Sequence, residues 1–295
     1  MKKIDTHVHA ALVKTPSRGG DPRHPEQHYI ATPQELRAHL EAQCIGHAVL
    51  MSSGEAMGAS GCANNAGCQA IAAAHPGFFS WMCNFDDRDP TTVAARMAKY
   101  QAQGAVGVGE LTINEWLDSP MLRAIFDAAA GLNLPVTFHM SPRPGMGYGI
   151  CDHWGLPLLE QALAARPQLI FVGHSQVFWA EISGDCPKAD EERGGFGRGP
   201  VCPGGRVPAL LERYPNLYAD LSAYSASCAI LRDEAFGLAF LERYQDRLFF
   251  ATDTLNRHQI FPLGRFLDEA AADGRLSAEA YRKICRDNAR RVYRL

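Results

Sequence analysis

The sequence predicts an α/β fold, a (β/α)8 TIM barrel with long active-site loops at its C-terminal face. Short apolar runs alternate with longer helical patterns along the 295 residues, which indicates βαβ units and a parallel sheet. There are eight such runs, and eight strands are the number that closes a barrel of this kind. No GxGxxG motif follows the first run, which disfavours the alternative, a doubly wound open sheet.

The predicted strands are runs rich in β-branched and aromatic residues. They cover residues 3–9, 47–52, 79–85, 105–111, 135–140, 169–174, 217–222 and 247–253. Because barrel strands run parallel, we expect the C-terminal ends of all eight at one face, where enzymes of this fold carry their chemistry.

Three of the predicted helices have recognisable start signals. Residues 32–35 (TPQE) form a capping box with a proline in the first turn. The pairs at 89–90 (DP) and 119–120 (SP) precede two further helical patterns. We expect these two helices to end at Gly104 and Gly131, because glycine is the preferred residue after a helix C-terminus.

Two stretches have no regular pattern. Residues 10–31 and 183–206 are rich in proline and glycine, and they follow the first and sixth strands. Both would lie at the C-terminal face of a barrel, so we predict that they are active-site loops, with solvated insertions as the alternative. No linker or internal repeat divides the chain, and we expect one domain over residues 1–295.

The composition is that of a globular protein without an excess of basic charge. Hydrophobic residues make up 46%, charged residues 21%, and the net charge is −3, so nucleic acid is not expected as a partner. No apolar run approaches the ~18 residues that span a bilayer. The nine scattered cysteines are typical of reduced thiols rather than disulfides. We therefore expect a cytoplasmic protein that binds a small-molecule substrate.

Residues of metal-binding type stand at the ends of five predicted strands. In IDTHVHA (4–10), His7 and His9 are two residues apart, so their side chains point to one face of a strand, ~6.6 Å apart along it. Asp5 shares that face and is expected either to orient a ligand or to form a salt bridge at the barrel bottom. The predicted metal ligands are His7, His9, Glu110, His139, His174 and Asp253.

The motifs around these residues resemble those of the amidohydrolase superfamily, in its metal-dependent branch called amidohydrolase family 2. The matching segments are DTHVH at 5–9, GEL at 109–111, FH at 138–139, VGHS at 172–175 and ATD at 251–253. The ending DNARRVYRL at 287–295 is also similar to the one common in this branch. The resemblance covers the whole chain in the expected order.

The resemblance implies a divalent metal, Zn²⁺ first and Mn²⁺ as the alternative, with one or two ions. In members with one ion, the equivalent of His139 completes the ligand set of the first two histidines and Asp253, and His174 lies near the ion or its water. In members with two ions, a carboxylated lysine or a glutamate on strand four bridges them. This chain has Glu110 there and no lysine, which keeps both forms open.

The implied activity is hydrolysis of a C–N, ester or lactone bond of a small molecule by a metal-activated water. Asp253 would act as the general base, and His174 would stabilise the developing oxyanion. The first alternative is a metal-dependent non-oxidative decarboxylase of a carboxylated ring, known in the same branch. A phosphodiester or nucleic-acid hydrolase and a non-catalytic metal-binding protein are further alternatives. Members of the family often form homodimers.

Three residues of the predicted rim loops are candidates for substrate binding: Arg143, Trp179 and Arg257. An arginine near a metal often binds a carboxylate or phosphate, so these arginines, with Arg193 or Arg198 of the long loop, predict an anionic substrate. The alternative for the arginines is a solvent-facing position, and for Trp179 a place in the core behind strand six.

Overall fold

The computed structural model of the chain describes residues 1–17, 29–56, 61–86 and 88–295. Within these ranges, eight parallel strands follow one another through one sheet in chain order. They are β1 (Lys3–Val8), β2 (Ile45–Leu50), β3 (Phe79–Cys83), β4 (Ala105–Leu111), β5 (Val136–Ser141), β6 (Phe171–His174), β7 (Leu217–Asp220) and β8 (Leu248–Phe249). Each overlaps a predicted run, so the predicted α/β fold is confirmed.

Backbone hydrogen bonds join the first strand to the last. The amide of Thr6 donates to the carbonyl of Phe250 at 3.1 Å, and the amide of Asp253 donates to the carbonyl of His7 at 2.8 Å. These bonds continue the ladder from the end of β8 back to β1, so the sheet closes on itself as a barrel. The C-terminal ends of all eight strands therefore surround one mouth.

Helices separate the strands along the chain. They are α1 (Pro33–Ala42), α2 (Asn65–Ala74), α3 (Val93–Ala102), α4 (Pro120–Leu132), α5 (Pro157–Ala165), α6 (Gln176–Ala180), α7 (Asp190–Arg193), α8 (Arg206–Arg213), α9 (Ala223–Leu231), α10 (Glu234–Arg243), α11 (Pro262–Ala272), α12 (Ala278–Arg282) and α13 (Asn288–Tyr293), with a π-helical turn at Lys283–Asp287. In the described ranges, none of these helices has the length and apolar character needed to cross a membrane.

The predicted helix starts are confirmed at two of three places. The hydroxyl of Thr32 accepts from the amide of Glu35, whose carboxylate accepts from the amide of Thr32, which completes the capping box of α1. Ser119 caps α4 in the same way through its hydroxyl. Helix α3 instead begins at Val93, because Asp89 accepts hydrogen bonds from the two threonines that follow Pro90 and holds them in a turn.

One predicted helix end is wrong. Helix α4 continues through Gly131 to Leu132, and Asn133 follows in the left-handed conformation with φ 53° and ψ 43°. Asparagine enters this region more readily than other residues with a side chain, so it ends the helix in place of glycine. Gly104 follows α3 with φ 97°, as predicted.

The two predicted loops are described to different extents. Residues 18–28 of the first loop lie outside the described residues, and on either side of them Thr15–Pro16 pairs with Tyr29–Ile30 in an antiparallel ladder. The second loop, 183–206, is irregular except for the single turn of α7 and for Arg206, the first residue of α8.

The lower half of the barrel interior is packed with apolar side chains. One buried cluster takes a residue from each of six strands, among them Ile4, Val172 and Phe249, and also includes Ala289 and Tyr293 of α13. Residues from strands on opposite sides of a barrel meet only inside it. The C-terminal helix thus closes the bottom, and polar groups are left to the mouth.

Candidate metal centre

Four of the predicted ligands surround one point at the barrel mouth. The Nε2 atoms of His7 and His9 are 3.3 Å apart. The Oδ1 atom of Asp253 lies 3.5 Å from the first of these nitrogens and 3.2 Å from the second. The Oε2 atom of Glu110 lies 3.7 Å from each of them. Side chains from β1, from β4 and from the segment after β8 therefore converge.

The spacing of these donor atoms fits a small divalent cation. A tetrahedron with metal–ligand bonds of 2.0–2.1 Å has edges of about 3.3–3.4 Å, and the separations among the donor atoms of His7, His9 and Asp253 are 3.3, 3.5 and 3.2 Å. Glu110 forms a second possible ligand group with His7 and His174. Neutral imidazole nitrogens and carboxylate oxygens are all electron-pair donors, which repel one another at this distance unless a cation or protons lie between them. Imidazole suits Zn²⁺, and carboxylate also suits Mn²⁺.

The remaining two predicted ligands lie directly beside this group. The Nε2 atom of His174 is 3.4 Å from Oε1 of Glu110 and 3.9 Å from Oδ2 of Asp253. The Nδ1 atom of His139 is 2.7 Å from the same oxygen of Glu110. Each carboxylate thus has one oxygen toward the histidines of β1 and the other toward a later histidine. All six predicted residues meet at one place.

Asp220, at the end of β7, is a site residue that sequence reasoning missed. Its two carboxylate oxygens accept hydrogen bonds from Nδ1 of His7 at 2.8 Å and Nδ1 of His174 at 2.9 Å. The hydroxyl of Ser222 donates to it at 2.7 Å. Because each Nδ1 is held by Asp220, each Nε2 is left to face the mouth.

The charge state of Asp220 follows from these contacts. Burial alone would raise the pKa of its carboxyl, but the facing imidazoles of His174 and His7 outweigh burial and hold that pKa well below its usual range. Asp220 is therefore ionised and accepts hydrogen bonds at neutral pH. The sequence carried a signal, since an aspartate lies near the end of the seventh predicted strand, as ligand types do in five others.

The ligand groups have shifted pKa values when no ion lies among them. Burial would lower the pKa of His9, but hydrogen bonds to Asp253 and Cys62 outweigh it and raise that pKa to about 10. For Glu110, burial acts to raise the pKa, and His139 and His7 bring it well below its ordinary value. In the metal-free cluster a protonated His9 therefore lies beside ionised carboxylates, and a metal ion must displace its proton to bind.

Two further polar residues fix the backbone that carries the ligands. The amide group of Asn84, after β3, donates to the carbonyl of Glu110 at 2.6 Å. Asp5 accepts from the hydroxyl of Thr252 at 2.6 Å and from the amide of His7 at 3.1 Å, and it makes no ion pair among the described residues. Burial raises the pKa of Asp5 to about 7. Asp5 therefore supports the segments next to two ligands without touching a ligand ring.

The two candidate substrate arginines are exposed and paired with acidic residues. Arg143 lies 3.5 Å from Asp190 and 3.9 Å from Glu191, both in α7 of the second loop. Arg257 lies 3.5 Å from Glu35 at the start of α1. Both pairs are solvated and weak, so neither arginine is prevented from turning to an anionic ligand.

Trp179 and Arg193 occupy the interior. Trp179 is 2% exposed, and its ring packs on Phe178 at 5.4 Å and Phe240 at 6.1 Å between centroids. That position corresponds to the core alternative that the sequence left open. Arg193 is buried and donates to the carbonyl of Asp152 at 2.8 Å, so it anchors the second loop. Arg198 is exposed.

A closed (β/α)8 barrel with histidines and carboxylates converging at its mouth defines a metal-dependent enzyme of the TIM-barrel class. The chain belongs to the amidohydrolase family, because the model of amidohydrolase family 2 matches residues 4–295. The resemblance read from the motifs is thereby confirmed. Among curated proteins, none matches the sequence.

Several solved structures are similar to this protein over nearly the full chain. Their sequence identities to it are low, so the similarity shows a shared fold and no more. The 2,6-dihydroxybenzoate decarboxylase from Rhizobium has a TM-score of 0.62 at 17% identity, covering 100% of this chain and 99% of that one. A probable 2-pyrone-4,6-dicarboxylic acid hydrolase from Acinetobacter baumannii, with citric acid bound, has a TM-score of 0.62 at 17% identity, covering 100% of both. The manganese complex of 5-carboxyvanillate decarboxylase from Novosphingobium aromaticivorans has a TM-score of 0.64 at 15% identity, covering 99% and 96%.

Proposed function

We propose that this chain is a Zn²⁺- or Mn²⁺-dependent hydrolase that cleaves a C–N, ester or lactone bond of a small, carboxylated molecule. The observation that supports hydrolysis is the shared position of Glu110 and Asp253. Each directs one oxygen to the histidines of β1 and the other to His174. Hydrolysis needs a base that takes a proton from water and returns it to the leaving group, and a spare carboxylate oxygen can do this.

His7, His9, Glu110 and Asp253 are the residues that would hold the cation. When bound, a divalent cation supplies a Lewis acid that polarises a carbonyl group and lowers the pKa of a coordinated water. The second histidine pair then remains for the substrate or for a second ion, and metal analysis of the purified protein distinguishes these two arrangements.

Asp253 is the better placed of the two carboxylates to move a proton. Its side chain is 25% exposed and that of Glu110 is 9% exposed, so only the first is open to the mouth. The spare oxygen of Glu110 is already engaged by His139 at 2.7 Å. We therefore assign Asp253 as general base toward water and as general acid toward the leaving group.

His174 is suited to stabilise negative charge on the substrate oxygen. Burial would lower its pKa, but the negative charge of Asp220 outweighs burial and raises it. With Nδ1 donating to Asp220 at 2.9 Å, protonated His174 presents a second N–H at Nε2. This group can donate to a developing oxyanion.

The second candidate is non-oxidative decarboxylation of a carboxylated ring. Two of the structurally similar proteins are decarboxylases by name, and the names of all three contain a carboxylated ring compound. Decarboxylation would use the same cation and the same His174, with Asp253 as a proton donor to the ring carbon. Arg143 and Arg257 remain our candidates for contacts with the carboxylate in either case.

Isotope and product analysis separates the two reactions. The purified protein, with its metal content measured, is incubated with a panel of lactones, amides, esters and carboxylated aromatics in H₂¹⁸O. Hydrolysis predicts one ¹⁸O atom in the product per turnover and no CO₂, lost in the Asp253→Asn variant. Release of CO₂ without ¹⁸O in the organic product would replace hydrolysis by decarboxylation.

We also propose that the enzyme works in the cytoplasm, as a homodimer. All nine cysteines lie in the described part of the chain and none of them forms a disulfide, which is typical of a reducing compartment. The homodimer rests on the family resemblance, and light scattering of the purified protein tests it.

A further inference from the structure

Tyr148 covers one face of a histidine at the metal centre. Its ring centroid lies 4.1 Å from that of His139, with 33° between the ring planes. His139 is only 8% exposed, whereas Tyr148 is 59% exposed. One face of the phenol ring is thus held against His139, and the greater part of Tyr148 remains exposed to solvent.

The backbone around Tyr148 fixes this position. Gly147 and Gly149 flank it with φ values of 74° and 109°, which residues with a side chain rarely adopt. A Cβ atom at residue 149 would lie 2.7 Å from the carbonyl oxygen of His139, so only glycine lets this loop lie against β5. The amide of Gly149 also donates to the carbonyl of Thr112 at 3.0 Å.

Among the described residues, the ring of Tyr148 has no aromatic or cationic partner besides His139. A tyrosine side chain is uncharged near neutral pH, so it does not repel an anion. Its hydroxyl makes no hydrogen bond to any described residue. A rigid, neutral aromatic surface beside a metal centre is suited to packing against a flat ligand.

We propose that Tyr148 is a specificity-determining residue, whose exposed ring packs against the substrate and selects planar, unsaturated carboxylates over saturated ones. This inference rests on the proposed function for the location of the substrate, but not for the type of reaction. Aromatic stacking contributes binding free energy beyond that of the buried apolar area, which any apolar ring provides. A planar ring therefore gains more binding free energy from Tyr148 than a puckered ring of the same size.

Binding of two matched probes to the metal-loaded enzyme tests this. Benzoate and cyclohexanecarboxylate have the same charge and ring size and differ in planarity. Calorimetry should show that the wild-type enzyme binds benzoate about three- to tenfold more tightly. Tyr148→Phe should keep this preference because it keeps the ring, and Tyr148→Leu should lose it at unchanged metal content.

Tyr224→Leu is the matched control. Tyr224 is 57% exposed and packs edge-to-face on Phe261, and among the described residues its ring pairs with no histidine of the metal centre. The preference should survive in this variant. A Tyr148→Leu enzyme that still prefers benzoate, a wild-type enzyme without a preference, or an equal loss in the Tyr224 variant would each overturn the proposal. Because the experiment measures binding without turnover, its result can be interpreted even if the enzyme is not a hydrolase.

Discussion

Asp220 and His7 are joined by a hydrogen bond of 2.8 Å between Oδ2 and Nδ1, which links β7 to β1 past β8. The other oxygen of the same carboxylate accepts a hydrogen bond from Nδ1 of His174 at 2.9 Å. One buried carboxylate therefore fixes the ring orientation and tautomer of two histidines. Removing a partner of this kind usually costs 10- to 100-fold in metal affinity.

We therefore predict that Asp220→Asn weakens metal binding by about 10- to 100-fold. The amide cannot accept from both imidazoles at once, so one ring loses its orientation. Competition with a chelator of known affinity measures the loss, and Asp246→Asn, an exposed aspartate that pairs with Lys283, is the control. Equal metal affinity in wild type and the Asp220 variant would refute the orienting role.

Asp253→Asn should retain much of the metal and lose most of the turnover. Asparagine keeps one oxygen for the cation but cannot take a proton from water, and loss of a general base typically costs 10²- to 10⁴-fold in rate. Elemental analysis of the variant reports the metal, and steady-state kinetics on the best substrate of the panel reports kcat. Near-wild-type kcat at full metal occupancy would exclude Asp253 as the base.

Metal binding should release protons and become tighter as pH rises. In the metal-free protein the pKa of His9 is about 10 and that of His7 is also raised, so both imidazoles carry protons at neutral pH that the ion must displace. Calorimetric titration of Zn²⁺ in two buffers with different ionisation enthalpies measures the protons released. A heat that does not depend on the buffer would contradict these protonation states.

The stability of the fold should depend on pH through Asp152. Burial raises the pKa of this carboxyl to about 6, above its unfolded value, although it caps α5 by accepting from the amides of Leu158 and Leu159. Between about pH 4 and pH 6 the folded state holds a proton that the unfolded state has lost, so stability falls as pH rises and levels off above pH 6. The effect is on the order of 2–3 kcal/mol.

Urea unfolding of Asp152→Asn from pH 4 to pH 8, compared with wild type, measures this effect. The neutral amide cannot ionise, so the stability of wild type relative to the variant should decrease up to about pH 6 and then stay constant. A difference that grows with pH would show that the capping hydrogen bonds outweigh burial.

The sequence predicted the barrel and most of the centre because both depend on local patterns. Strands and ligand types recur at positions that parallel topology brings to one rim, so His7, His139 and Asp253 could be assigned together. Asp220 stands at such a position as well, but its role depends on two histidines that lie 46 and 213 residues away in the chain. No local pattern reports that contact.

Burial and loop geometry were less accessible to sequence reasoning. Trp179 follows a ligand strand, as a substrate contact would, yet the short helix α6 turns its ring into the core. Arg193 lies in a polar loop and is nevertheless buried against a backbone carbonyl. Tyr148 is placed by two glycines and a close approach to β5, which become visible only when the strands are assembled.

The most direct test of the central claim is a crystal structure of the zinc-loaded protein with anomalous data at the zinc edge. We predict an anomalous peak about 2.0–2.2 Å from Nε2 of His7, Nε2 of His9 and a carboxylate oxygen of Asp253, with Glu110 in contact. A peak elsewhere, with these side chains dispersed, would contradict the metal centre and the enzyme proposed from it.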